Sequence, residues 1–595
     1  MLNAPRRVSI VRSVSRYVAA AAACAVVWSC CGLACSATTD RGAADASVAD
    51  SGRRAPSDAA RDSTSASRGD SAADARVDSA RDAPVQLPEA GTDAGVDADA
   101  TPDVFDAGFD AGFDSGCVPV YLDASTGGSW QPLTHPPGFD GGPSASPTAT
   151  VLLTDGTVIV GLTWRLTPDS SGSYVNGSWS QIAPLPAGYS PIDFASAVLP
   201  DGRLLVEGGE YNQGAKDETT LGAIYDPVAD VWQSVAPPAG WYVIGDAPSV
   251  ILPNGQFMVS GDSMAVDPLG LASAALLTGW TDAGAVWTLT GPIDEGEEGW
   301  TLLPSGQVLT VDTFNGTESE LYVPDAGIWV LAGDTTTPLV DAAHEIGPQL
   351  LLPNGSVFVA GATGHTAIYS AAGAWSAGPD MPVTTCGQLG VSDGPGVLLP
   401  NGHVLLASSP ILPGLLDGEQ SAYPPTYFLE FDGTSIAEVA HPPAAPLDLC
   451  SQIVLLLLPT GQVLEVDGSA DVEVYTPVGG PDPAWGPSIS TAPPTVARGT
   501  TYPITGTQFN GLSQAVAYGD DYQAATNFPL VRITNNATGH VFYARTHDHS
   551  TMGVATGSQQ VSTSFDVPIG ADTGPSTIAV VANGIASSVV AITVE

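Results

Sequence analysis

Positive charge is what this sequence has least of. Against 63 aspartate and glutamate residues stand only 17 lysines and arginines, a formal net charge of −46 over 595 residues. The shortage deepens along the chain: residues 1–35 hold four arginines and no acid, residues 36–116 seven arginines against seventeen acids, and the remainder six basic residues against forty-six acids. A surface this acidic repels phosphate backbones and anionic headgroups, which excludes nucleic-acid binding. Divalent cations and basic partners stay compatible with it, as does plain solubility in an extracellular setting.

Bilayer-spanning length is missing too. The apolar run Tyr17–Trp28 has twelve residues, short of the ~20 a transmembrane helix needs. It follows a basic stretch of Arg6, Arg7, Arg12 and Arg16 and ends in Ser29-Cys-Cys-Gly-Leu-Ala-Cys35. That pattern resembles a bacterial lipoprotein signal, in which a cysteine after a small residue is acylated. Cys30 and Cys35 both qualify, and the resemblance implies a secreted protein lipid-anchored to the bacterial outer membrane or cell surface. Residues 36–128 are poor in large apolar side chains in turn. A segment dominated by Ala, Asp, Ser, Gly and Arg buries too little to offset the entropy of ordering, so it is expected to be a disordered linker. Its DAGFDAGFDSG stretch at 106–116 spaces Asp106, Asp110 and Asp114 four apart. Calcium loops set oxygens at alternate positions, so a solvated linker is the better reading.

From Trp130 the texture changes to short apolar strands between Gly and Pro turns. The hairpin AVLPDGRLLVEGG at 197–209 recurs with turn glycines Gly156, Gly202, Gly255, Gly306, Gly355, Gly402 and Gly461, at steps of 46, 53, 51, 49, 47 and 59 residues. A period near 50 is the kelch spacing. After most hairpins come a strand ending in an aromatic and one beginning at Trp, as in Tyr225 and Trp232, Tyr322 and Trp329, Tyr369 and Trp375. Seven hairpins predict an all-β fold, a seven-bladed β-propeller over 129–490, with Trp130 in the closing strand of the seventh blade so that the ring leaves no raw edge. Residues 491–595 lack the hairpin template. The stretches TYPITGTQF, QAVAYG, FPLVRITN, HVFYARTH, VSTSFDVP and STIAVVANGIASSVVAITV read as the strands of an Ig-like β-sandwich.

A kelch propeller followed by a small Ig-like domain resembles the galactose oxidase and glyoxal oxidase family. The supporting stretches are the closing strand at Trp130, LLLLPTGQVL in the last blade, and FPLVRITNNATGHVFYARTHDHSTMGV at 528–554. The family's enzymes hold one copper with two tyrosines and two histidines, one tyrosine being crosslinked to a cysteine. Here Ser451 and Gln452 stand where the resemblance expects an adjacent Tyr-His pair, and Asp193 and Phe194 where it expects the crosslinked tyrosine. No cysteine lies between Cys117 and Cys386. Only His540 sits where a copper histidine of the C-terminal domain is expected, and one imidazole does not hold Cu(II).

Other metal-ligand signals are sparse. In His547-Asp548-His549, residues two apart on a strand face one side, so both imidazoles are candidates for one ion. The alternative is that they bond loop backbone near Arg545. Cys386 and Cys450 precede the sixth and seventh hairpins, and in a secreted chain a disulfide between them is expected, leaving Cys117 odd. No cofactor is expected, with copper or calcium as the alternatives. The functional expectation is a monomeric, non-catalytic surface protein binding an extracellular carbohydrate, peptide or matrix component through loops at one mouth of the ring. The alternatives are a divergent copper-radical oxidase or other metalloenzyme, and a structural envelope module. Replacing both Cys30 and Cys35 by Ala is expected to release the protein from the detergent phase in phase partitioning; unchanged partitioning would refute the lipid anchor.

Overall fold

The hairpin turns set the pattern from which the rest is built. The structure, a computed structural model, describes residues 117–121, 127–138, 149–216, 218–261, 273–281, 284–292, 298–412, 422–519 and 522–595; the expected lipoprotein signal with Cys30 and Cys35, and most of the expected linker, lie outside them. In each turn the glycine N–H donates to the carbonyl three residues back, as from Gly202 to Leu199 at 2.8 Å and from Gly355 to Leu352 at 2.9 Å. All seven turn glycines have φ between +77 and +87°, where a β-carbon is disfavoured. The residue before six of them is Asp155, Asp201, Asn254, Ser305, Asn354 or Asn401, whose side-chain oxygen accepts the N–H two positions on at 2.9–3.3 Å. The recurrent D/N/S-G pair therefore has a local cause.

Among the described residues each hairpin is the first half of a four-stranded antiparallel group. The second sheet, for example, runs Ala195–Val198, Leu204–Glu207, Gly222–Asp226, Val231–Val235. The seventh consists of Val454–Leu457, Val463–Val466 and Glu473–Thr476, and its outer strand is Ser129–Pro132 from the other end of the repeat region, with Trp130 opposite Tyr475. First strands of successive sheets neighbour one another: Pro395–Leu398 lies beside Val454–Leu457, and Val454–Leu457 beside Thr150–Leu152 of the first sheet. An all-β molecule of small sheets whose last returns to its first is consistent with a β-propeller.

Between sheets the aromatic repeat does two things. Tyr225 and Trp232, Tyr322 and Trp329, Tyr369 and Trp375, and Tyr475 and Trp130 are directly opposed across strands, with ring centroids 5.0, 5.2, 5.0 and 4.9 Å apart. Several outer-strand indoles also donate to the preceding sheet or the loop leaving it: Trp179 to His135 O at 3.0 Å, Trp287 to Ala236 O at 2.8 Å, Trp375 to Ser319 Oγ at 2.8 Å, and Trp130 to Ala440 O at 2.7 Å. The tryptophans thus fill the gap and bond across it. In the sixth sheet Phe431 faces Ile436 instead, and in the third two nine-residue strands pair with register shifts.

From Ser488 onward every named strand except Val516–Tyr518 belongs to a nine-stranded sheet that folds over on itself. Val541–His547 is shared: Val541–Ala544 pairs with Val531–Thr534, and Arg545–His547 with Ser564–Asp566. The enclosed core includes Val496, Ile504, Phe509, Ile533, Phe565, Ile578 and Ile592. This unit sits on the hairpin turns: Thr546 N donates to Thr154 O (3.2 Å), Met552 N to Pro253 O (3.1 Å), and the Arg545 guanidinium to Asp201 O.

The disulfide differs from expectation. Cys386 is bonded to Cys117, with Cα atoms 5.5 Å apart, and Cys450 is a buried free thiol. Cys386 lies nine residues ahead of its hairpin strand at Pro395, whereas Cys450 lies four ahead of Val454 in a short 3-10 turn. The two therefore occupy different levels of their loops, and the Cys450 thiol points at Ser392 O, 3.5 Å away. Non-reducing peptide mapping is expected to recover Cys117 joined to Cys386, with Cys450 alkylated only after unfolding. Cys117→Ser is expected to cost about 2–5 kcal/mol in denaturant unfolding; an unchanged midpoint would show the bond to be absent in solution.

Candidate functional site

Where first strands converge, their outward edges carry unpaired N–H and C=O groups that need partners. A segment of the C-terminal region supplies them. Val516–Tyr518 pairs antiparallel with Pro395–Val397, and Leu398 N donates to Ala515 O at 2.8 Å. Gln514 Oε1 accepts Leu302 N at 2.7 Å; Ser196 Oγ donates to Gln523 O at 2.7 Å, and Ser249 Oγ to Gln523 Oε1 at 2.9 Å. The segment thereby touches the second, third, fourth and sixth sheets, and through Tyr518 also the seventh. It occupies the place where their first strands meet. QAVAYG, expected as a sandwich strand, belongs to this axial segment instead; its strand finds a better partner in the open edge at Pro395–Val397.

Around its tip gather the positions the family resemblance singled out. Ser451 O accepts the Tyr518 hydroxyl from the turn Cys450–Gln452. Phe194 forms a parallel bridge with Tyr522, their rings 5.5 Å apart and nearly perpendicular. Asp193 holds a left-handed φ of 51° and its N–H donates to the Tyr522 hydroxyl at 3.3 Å. Tyr518 and Tyr522, both buried, lie edge to face at 5.4 Å. Sequence reasoning located Asp193, Phe194, Ser451 and Gln452 but missed Tyr518, Tyr522, Gln514 and Gln523. The available signal was a pair of tyrosines around Gly519-Asp-Asp in a strand too short and polar for a sandwich core.

The histidines lie elsewhere. His540 occupies the hairpin between Leu530–Asn535 and Val541–His547, where its Nδ1 meets Asp572 Oδ2 at 2.7 Å; the axial contribution of this domain comes from Tyr518 and Tyr522. His547 and His549 do not converge either, because Asp548, at φ 54°, ends the strand alternation. His547 places Nδ1 at 2.7 Å from Asp548 Oδ2 and Nε2 at 3.2 Å from Asp566 Oδ1. His549 turns its Nδ1 to Thr563 Oγ1 at 2.9 Å, and burial pushes its pKa down to about 3. Among the described residues no group of three or more His, Cys, Asp or Glu is arranged to hold a metal ion.

The described donors at the axis do not fit the copper of the resembled family. Phe194 offers no ligand atom, the Ser451 carbonyl already accepts Tyr518, and the predicted His540, His547 and His549 are bonded elsewhere. Cu(II) needs several nitrogen or oxygen ligands in a tetragonal set. What the arrangement does is close the axis with hydrogen bonds. Gln514→Ala leaves the buried Leu302 N–H without its acceptor and is expected to cost about 1–3 kcal/mol in urea unfolding; a loss within error would mean that this anchor carries no weight.

Comparison with known proteins finds similar solved structures at low sequence identity only. No family model matches the sequence, and no curated protein matches it. Solved structures similar to it include a fungal alcohol oxidase of the AA5 family in complex with copper, at 13% identity and TM-score 0.44, covering 79% of this chain and 100% of that one. YjhT matches at 14% identity and TM-score 0.34 over 52% of this chain and 98% of its own. The extracellular domain described as that of a hybrid two component system from B. thetaiotaomicron matches at 9% identity and TM-score 0.36, over 79% of this chain and 57% of that one.

Proposed function

We propose that the chain is a non-catalytic binding protein of the bacterial surface. In this reading a lipid-anchored arm carries a seven-bladed kelch β-propeller and an Ig-like sandwich, and loops at the open mouth take an extracellular carbohydrate, peptide or matrix ligand. The observation that carries it is the placement of the C-terminal region: it covers the end of the ring that bears the hairpin turns, so the loops at the other end are the ones left to meet a ligand. Among the described residues two exposed aromatic side chains belong to those loops. Tyr242, in the loop between the second and third sheets, is 59% exposed, and Phe314, stacked 4.4 Å from His344 in a loop of the fourth, is 41% exposed. Exposed rings of this kind offer flat apolar faces to sugar C–H groups or peptide side chains. Copper-radical oxidation is left out of the proposal because the axial donor set does not fit it.

Glycan and peptide arrays probed with the full chain test the reading. Binding is expected, and Tyr242→Ala or Phe314→Ala is expected to weaken it about tenfold, the effect of removing a contact aromatic. No binding on either array, together with copper-dependent peroxide release from alcohols or aldehydes, would overturn it.

A further inference from the structure

Carboxyl groups lie buried between the sixth and seventh sheets with no basic side chain to meet them. Glu465 and Glu473 are directly opposed across adjacent strands of the seventh sheet, and each is 2% exposed. Tyr475, two residues beyond Glu473 and so on the same face, donates to Glu430 Oε1 of the sixth sheet at 2.6 Å. The glutamate pair therefore faces the sixth sheet. Glu473 Oε2 is buried without a hydrogen-bond partner, and so is Oδ2 of Asp448, in the loop entering the seventh sheet. The other titratable groups around this face are Asp467 and Asp471 in the loop joining the two glutamate strands, and Glu430, Glu438, His403, Tyr427 and Tyr121 on the sixth-sheet side. Of these, His403 is bound to Glu430 Oε2 at 3.0 Å. Of the basic residues beyond position 117, Arg165 lies in the first sheet, Arg203 in the second hairpin, Lys216 in a small three-stranded sheet with Tyr211–Asn212 and Pro191–Ile192, and Arg498, Arg532 and Arg545 in the C-terminal region.

We propose that the face between the sixth and seventh sheets is a proton-operated joint, closed while Glu465, Glu473 and Asp448 are neutral and strapped by the N-terminal arm when they ionise. Two carboxylates opposed across a strand pair repel, and burial removes the water that would screen them. Burial, reinforced by Asp471 and Asp467, pushes Glu473 up to about 7; burial with Asp467, Asp471 and Glu473 does the same to Asp448; burial raises Glu465 in the same direction. Groups raised in the folded state bind protons there that the unfolded chain releases. Their stabilisation is complete below the ordinary carboxyl range and is lost as pH rises through about 7.

The strap is anchored on both sides of this joint. Cys117 is bonded to Cys386 on the approach to the sixth sheet. Tyr121 stacks on His441 at 3.8 Å and donates to Thr426 O at 3.2 Å. Ser129–Pro132 then hydrogen-bonds into the seventh sheet, and Trp130 donates back to Ala440 O. One covalent path thus ties both sides of a face that loses cohesion on ionisation.

Thermal melts of the full chain in EDTA at about pH 5 and about pH 8 test this. Wild type is expected to melt lower at the higher pH. Glu465→Gln and Glu473→Gln, neutral shape mimics, are expected to shrink that drop by about 3 °C or more, and Cys117→Ser/Cys386→Ser to enlarge it. Equal pH dependence in wild type and the Gln variants would overturn the proposal. So would recovery of wild type at pH 8 on adding Ca²⁺, since the counter-charge would then be a metal ion. Hydrogen exchange on wild type decides the matter even if the variants fail to fold. After correction for intrinsic rates, Val463–Val466 and Glu473–Thr476 are expected to lose protection between the two pH values relative to Val357–Ala360 and Thr366–Tyr369 of the fifth sheet; equal loss in both sheets would refute the joint.

Discussion

The structure depends on satisfying backbone groups at the place where its first strands meet. A ring of small sheets buries both faces of each sheet against its neighbours, but every first strand still turns an open edge toward the centre. Here the segment around Gln514–Gln523 supplies main-chain pairing to the sixth sheet, a side-chain acceptor to the fourth, and acceptors for the hydroxyls of Ser196 and Ser249. Those same bonds fix what can gather at the axis. Tyr518 and Tyr522 are brought against Ser451, Asp193 and Phe194 because their neighbours in the segment are committed to strand edges. Stability and the identity of the site therefore share one cause.

What was legible in the sequence was whatever the chain decides within a few residues. The turn glycines, the Asp or Asn before them, and the Tyr and Trp that oppose one another on consecutive strands all act over short separations, so repetition exposes them. The pairing of Ser129–Pro132 with Glu473–Thr476 spans more than three hundred residues, yet it was readable because an unmatched Trp strand and an unfinished sheet called for each other. Asp193, Phe194 and Ser451, which meet the axial tyrosines, were singled out through resemblance, each lying a few residues ahead of a hairpin.

The axial segment and the disulfide were not legible, for a common reason: neither belongs to the repeat. QAVAYG has the composition of a strand, and nothing local says which edge it joins. That is settled by the unpaired edge of Pro395–Val397, a property of the assembled ring. For the cysteines, an equal place in two sheets did not imply an equal place in space, because the loop ahead of the sixth hairpin is longer than that ahead of the seventh. A strand spacing of two likewise put His547 and His549 on one side only so long as the strand continued, and Asp548 in a left-handed conformation ends it.

The acidity of the chain resolves into two populations with opposite physics. At turns the backbone has N–H groups to spare. Asp432 accepts those of Ser435 at 2.7 Å and Thr434 at 2.8 Å, and these bonds hold its carboxyl far below the usual range. Inside a sheet the N–H groups are already spent on the ladder, so a carboxyl placed there finds no backbone donor, and burial raises Glu207, Glu465 and Glu473. With so few cations in the globular part, an interior acid has only a proton to neutralise it. The same composition that gives the protein its large net negative charge thus makes the cohesion of its seventh sheet depend on protons, and that is where a covalent strap is anchored on both sides of the joint.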